Sequence, residues 1–166
     1  MDIRDVENRI LTNLDNVDTD GLQIVLYYTQ ALSLVRNGKP LMEDEFYASS
    51  FGPVTPKLEN LPLSQRMSFN LKVEPSGNPL DPEDIALIDE VCEHYGKFNI
   101  QELGTMIRAS KPWLDARSES DLVERRGKLI PKSEIAEYYK NSAKCDLPNI
   151  LPKSAIKDLT TFQELL

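Results

Sequence analysis

The stretch that most constrains the fold is Leu22–Val35, where Leu22, Ile24, Val25, Leu26, Tyr27, Tyr28, Ala31, Leu32, Leu34 and Val35 crowd one short window. A helix made from it is apolar on nearly every side and must be covered by neighbours all round. It is too short, and too broken by Gln23, Gln30 and two tyrosines, to span a bilayer. The expectation is therefore a mainly α fold: a single compact helical domain around a buried central helix. Asp20 is placed to cap that helix, and Gly38 to close it in a left-handed conformation.

The flanking segments supply its cover. Ile3, Val6, Ile10 and Leu14 recur at steps of three and four, which predicts an amphipathic helix near residues 2–15. Thr55-Pro56 starts a short helix that Pro62 stops. Asp81-Pro82-Glu83-Asp84 opens a longer one with Ile85, Ile88, Val91, Cys92 and Tyr95 on one face, ending at Gly96. Asn99 and Glu102 form a capping-box pattern ahead of Leu103, Met106 and Ile107; Pro112 closes that helix and Trp113–Arg117 begins another turn. Ile135, Tyr138 and Tyr139 mark a last core helix over 134–140. Glu43–Ser50 reads equally as a short helix or an extended segment, and Ser118–Leu129 as a polar loop. Prolines at 62, 75 and 79 with Gly77 make a loop-rich connection, where alternating Phe69, Leu71 and Val73 allow at most a short β-hairpin near residues 65–75.

Beyond Ala143 the texture changes. Pro148 and Pro152 break the chain, and Ser154 is placed to cap a final helix showing Ala155, Leu159, Phe162 and Leu166 at helical spacing. The expected organisation is a helical domain over residues 1–143 and a C-terminal extension over 144–166.

A chain of 166 residues is long enough to bury a sizeable core as one domain. Its net charge of −8 is unevenly placed, with six acids against Arg4 and Arg9 in the first twenty residues. Such a surface repels phosphate backbones, and the densest basic group, Arg125, Arg126 and Lys128, reads as solvated charge, so no nucleic-acid partner is expected. Cys92 and Cys145 are far apart and read as free thiols. His94, the sole histidine, sits late in a helix, where the C-terminal dipole favours its protonated form for structural reasons. No nucleophile or orienting group accompanies it. Glu43-Asp44-Glu45 and Glu83-Asp84 read as solvated carboxylates rather than metal ligands. The seven glycines are scattered at turns and helix ends, with no phosphate loop among them. The sequence thus points away from an enzyme, with no catalytic, cofactor-binding or metal site expected. The acidic start lacks the basic and apolar pattern of a signal peptide, which points to the cytoplasm and away from a membrane.

The ordered set of short motifs is more specific than any one of them. It comprises Leu22-Gln23-Ile24-Val25-Leu26-Tyr27-Tyr28-Thr29-Gln30, Gly38-Lys39-Pro40-Leu41, Phe51-Gly52-Pro53-Val54-Thr55-Pro56, Val91-Cys92-Glu93-His94-Tyr95-Gly96, Leu103–Ile107, Pro112-Trp113-Leu114-Asp115-Ala116-Arg117 and Ile130–Tyr139. In order and spacing, from about residue 20 to 140, this resembles the Panacea domain, also described as a SocA-like or GepA-like phage-associated domain. The family pattern shows Thr-His shortly before Pro-Trp, where this chain has Ile107-Arg108.

The resemblance implies a mostly helical, non-enzymatic antitoxin that neutralises a toxin by direct binding in a toxin–antitoxin operon or prophage. One branch of the family delivers its toxin to an ATP-dependent protease, so the alternative is a phage or mobile-element adaptor or inhibitor acting on such a host protein. The expected partner is a protein, a cognate toxin or a protease. Candidate partner-binding residues are Tyr27, Tyr28 and Gln30, whose polar tips either meet buried partners or border a recognition groove, and Ala155, Leu159, Phe162 and Leu166 of the extension. The acidic N-terminal helix is a further candidate contact surface. Phe51, Gly52, Pro53, Trp113 and Arg117 read as structural motif residues. No motif names the toxin or the oligomeric state.

Overall fold

The computed structural model describes residues 1–66, 71–118 and 126–142. In chain order the elements are α1 (Ile3–Asn13), α2 (Thr19–Asn37), β1 (Phe46–Ala48), β2 (Pro53–Val54), α3 (Pro56–Glu59), α4 (Leu63–Arg66), α5 (Pro82–Tyr95), α6 (Ile100–Arg108), α7 (Lys111–Ser118), β3 (Leu129–Ile130) and α8 (Lys132–Ser142). The mainly α expectation holds, with α2 as the axis. Every α2 residue from Gly21 to Ser33 is buried. The helix is covered by α1, α5, α6 and α8 and by β2.

The buried polar groups of α2 tie crossing loops to the axis. Gln30 Oε1 accepts from the N–H groups of Leu41 (2.9 Å) and Met42 (3.1 Å), while its Nε2 donates to the Met42 carbonyl (2.8 Å). Gln23 Oε1 accepts from the Thr55 N–H at 2.6 Å, and Ser33 Oγ donates to the Lys39 carbonyl at 2.9 Å. The Gln30 and Gln23 bonds satisfy loop backbone that would otherwise be buried without a partner, which is costly in an apolar interior.

Local caps set the start of α1, both ends of α2 and the start of α6. Asp2 accepts from the Arg4 N–H at the start of α1, and Asn99 with Glu102 forms the expected capping box of α6. Gly38 closes α2 with φ 68°, as expected. The cap of α2 is Asp18, whose Oδ1 accepts from the Gly21 N–H at 2.8 Å; Asp20, the expected cap, lies inside the first turn. Thr19 starts the helix three residues before the apolar run begins at Leu22. Charged staples bind the outer helices: Arg9 reaches Asp89 with two bonds (2.7 and 2.6 Å), and Arg36 reaches Glu90.

The sheet is small and lies away from the place expected for it. Its order is β2-β1-β3, all antiparallel, with Tyr47 opposite Val54 on one side and Leu129 on the other. The hairpin expected near residues 65–75 is absent over Leu71–Pro75, which carry no strand; Phe69 is outside the described residues. That segment is instead pinned to α1, where Asn8 Nδ2 donates to the Val73 carbonyl and the Asp5 carboxylate accepts from the Ser76 N–H and hydroxyl. The alternation of Leu71 and Val73 therefore reflects a segment lying on a helix rather than strand pairing. The expected boundary at 143/144 and the extension, with Cys145, Ala155, Leu159, Phe162 and Leu166, lie outside the described residues.

Candidate partner-binding surface

The family motifs converge on one clasp around the β1–β2 turn. Three carbonyls of that turn are each held by a side chain from α6 or α7: Ala48 by Arg117 Nη1 (3.0 Å), Ser49 by Trp113 Nε1 (3.0 Å) and Phe51 by Arg108 Nη1 (2.9 Å). The Arg108 guanidinium also lies over the Phe51 ring, 5.1 Å from its centre. Arg108 thus acts as a backbone clamp on this turn. Gly52 fits closely into the core, since a Cβ there would stand 3.3 Å from Ile107 Cγ2 and 3.7 Å from Ile24 Cγ1, so a larger residue would press on Ile107. Pro53 then enters β2, where it pairs with Ala48. Phe51, Gly52, Pro53, Trp113 and Arg117 are therefore brought together as one structural unit.

Tyr27, Tyr28 and Gln30 do not line a groove. All three have no solvent exposure. Tyr28 stacks on Tyr95 at 3.9 Å between ring centres, and Tyr27 meets Phe46 edge-on at 5.3 Å. Tyr139 closes the cluster, edge-on to both Tyr27 and Tyr28. Burial drives the phenols of Tyr27, Tyr28 and Tyr95 well above the ordinary tyrosine range. The expectation of direct partner contact from Tyr27, Tyr28 and Gln30 is corrected accordingly: four neighbouring helices cover the whole circumference of α2, and these polar tips face the interior.

The surface feature with the character of a binding site is a cleft of about 540 Å³ between the α1–α2 turn and the α5–α6 turn. Its apolar lining comes from Leu14, Val17, Val25, Phe98, Ile100 and Leu103, and its polar lining from Asn13, Asp15, Asn16, Asp18 and Asn99, with no lysine or arginine. Asn16 adopts φ 57°, a left-handed turn conformation that asparagine tolerates, and reverses the chain between the two helices. Leu14 lies close against the end of α5, where a Cβ on Gly96 would stand 2.7 Å from Leu14 Cδ2. Sequence reasoning missed this cleft because each apolar residue, taken singly, reads as core. The available signal was a pair of interhelical turns, Asp15-Asn16-Val17-Asp18 and Lys97-Phe98-Asn99, each setting an apolar residue among polar ones.

The other sequence candidates are dispersed. His94 is half-buried and edge-on to Tyr95, and burial, followed by the Lys97 charge, lowers its pKa. The shift is opposite to the protonated ring expected at a helix end. Burial pushes the Cys92 thiol up to about 11, which leaves it protonated and unreactive at neutral pH. Asp44 pairs with Lys57 at 3.0 Å and Glu45 with Lys132 at 2.9 Å, so the 43–45 carboxylates diverge. Among the described residues no group of three or more metal-ligating side chains converges. Arg126 is engaged with Glu59 at 2.7 Å and lies over Tyr47, while Arg125 is outside the described residues. No helix among the described residues is long and apolar enough to cross a membrane.

The described residues form a small helical domain round one buried axis, with a clasped hairpin and an open cleft. The comparison with known families makes this specific: the model for "Antitoxin SocA-like, Panacea domain" matches residues 22–114, more than half of the chain. The chain belongs to this antitoxin-like Panacea family. No curated protein and no solved structure matches it significantly.

Proposed function

We propose that the chain is an antitoxin that neutralises a cognate protein toxin by direct binding, without chemistry of its own, in the cytoplasm of a cell carrying a toxin–antitoxin or prophage locus. Membership of the antitoxin-like Panacea family carries this reading. An apolar cleft with a polar rim on a well-packed scaffold is a suitable means of recognition, since interface anchors enter pockets of this kind.

The test is co-expression with the product of the neighbouring gene. That product alone should arrest growth, and the full chain should restore it. Arrest that persists despite soluble expression of the chain would refute the reading. Recovery of an ATP-dependent protease as the stoichiometric companion, with no toxic neighbour, would replace it with the adaptor reading that the family resemblance also allows.

A further inference from the structure

We infer that the cleft between the α1–α2 and α5–α6 turns is built for a cationic protein segment, one that inserts an aromatic or large aliphatic side chain and flanks it with lysine or arginine. The inference rests on the antitoxin reading for the partner being a protein, and on the cleft for that partner's chemistry.

Helix dipoles do not set the charge preference of this cleft. Two helices end there, α1 at Asn13 and α5 at Tyr95, and two begin there, α2 at Thr19 and α6 at Ile100. Two negative and two positive dipole ends therefore meet at one place and offset one another. Formal charge decides the sign, and Asp15 and Asp18 line the cleft without a lysine or arginine among the lining residues. Other acids of the N-terminal segment are occupied elsewhere: Asp2 with Arg4, Asp5 with Ser76, and Glu7 buried. Asp15 and Asp18 thus give the α1–α2 wall two carboxylates that can meet a basic patch, while Lys97 of the facing turn lies outside the lining.

The floor sets the other half of the specificity. Leu14, Val17, Phe98 and Ile100 are only partly buried although they pack against the core. An inserted apolar side chain would complete their burial. A second copy of the chain is the wrong occupant on charge, since each copy carries −8. The walls also divide by family coverage: Asn13 to Gly21 precede the matched residues 22–114, whereas Val25 and Tyr95 to Leu103 lie within them. Partner choice would then be tuned by the N-terminal turn, which brings Leu14, Val17 and both aspartates, while the family scaffold supplies Phe98 and Ile100.

The experiment pans the full chain against a phage-displayed library of random twelve-residue peptides. A synthetic copy of the leading peptide is then titrated by fluorescence polarisation into the wild type, Asp15→Arg and Phe98→Ala. The leading peptide should place Phe, Trp, Leu or Met beside Lys or Arg. Each variant should weaken binding roughly tenfold, the scale of one lost anchor or one reversed charge, with melting temperature as the control for folding. Absence of enrichment, peptides without basic residues, or unchanged binding by both folded variants would overturn the proposal. Displacement of the leading peptide by a synthetic peptide of residues 144–166 would overturn it too, assigning the cleft to the chain's own extension. None of these outcomes touches growth rescue by co-expression, and failure of rescue leaves the peptide result standing.

Discussion

Glu7 is the residue whose substitution most sharply tests how this core is held. It sits on α1 with 3 % of its surface exposed, and its Oε1 is buried without a hydrogen-bond partner. Burial, reinforced by the Asp44 carboxylate, raises its pKa from 4.5 to about 7, against the partial opposition of Lys57 and Arg4. The folded protein therefore holds this proton more tightly than the unfolded chain does. Its contribution to stability is complete below about pH 4.5, is lost as the pH rises towards 7, and stays lost above that. The displacement corresponds to about 3 kcal/mol. Glu7→Gln removes the titration while keeping the shape. At pH 8 the variant should be more stable than the wild type by about 2–3 kcal/mol, after a discount for burying an amide. At pH 4.5 the two should agree within about 1 kcal/mol, because Glu7 is then protonated in the folded protein and about half protonated in the unfolded chain, which leaves little linkage energy. Urea unfolding followed by circular dichroism, run on both proteins at both pH values, gives the four free energies. Titrations of groups that do not interact with Glu7 cancel in the difference between proteins. A variant that is less stable at pH 8, or a difference independent of pH, would refute the assignment of Glu7 as a carboxylate held neutral by burial.

Three further perturbations probe separate parts of the account. Gln30→Ala should cost about 3–4 kcal/mol in urea unfolding, because it strands the buried Leu41 and Met42 backbone groups; a loss below about 1 kcal/mol would show that the 39–42 loop is not anchored there. Gly127→Ala should lower stability by at least about 2 kcal/mol and weaken the β1–β3 pairing, since Gly127 has φ 74° and a Cβ would stand 2.0 Å from the Ala48 carbonyl oxygen; an unchanged melting temperature would contradict this. Tyr27→Phe should leave stability unchanged or raise it by up to about 1 kcal/mol, because the Tyr27 hydroxyl is buried without a hydrogen-bond partner; a loss greater than about 1.5 kcal/mol would expose an interaction through that oxygen.

The parts of the fold legible in the sequence are those written in local chemistry. The all-round apolar character of residues 22–35 announced a covered axis, Gly38 its end, and Asn99 with Glu102 the start of α6. What escaped was written in distant pairings. Phe46–Ala48 becomes a strand only because Pro53–Val54 and Leu129–Ile130 lie on either side of it, and no local pattern in Glu43–Ser50 requires that. Asp18 and Asp20 both suit a cap, and one hydrogen bond to Gly21 separates them. The motif residues were legible as a set, but their shared purpose was not. That Arg108, Trp113 and Arg117 hold three carbonyls of one turn depends on residues about sixty positions apart meeting. The cleft is hidden for the same reason, since its two walls come from turns that all the elements from α2 to α5 separate in the chain.

The most direct test of the central claim is calorimetric titration of the purified full chain with the purified growth-arresting product of its neighbouring gene, followed by sizing of the mixture. The account predicts a saturable complex of fixed stoichiometry, with both proteins recovered at unchanged mass. Neutralisation in cells without any complex in the calorimeter, or recovery of a chemically altered toxin, would contradict it.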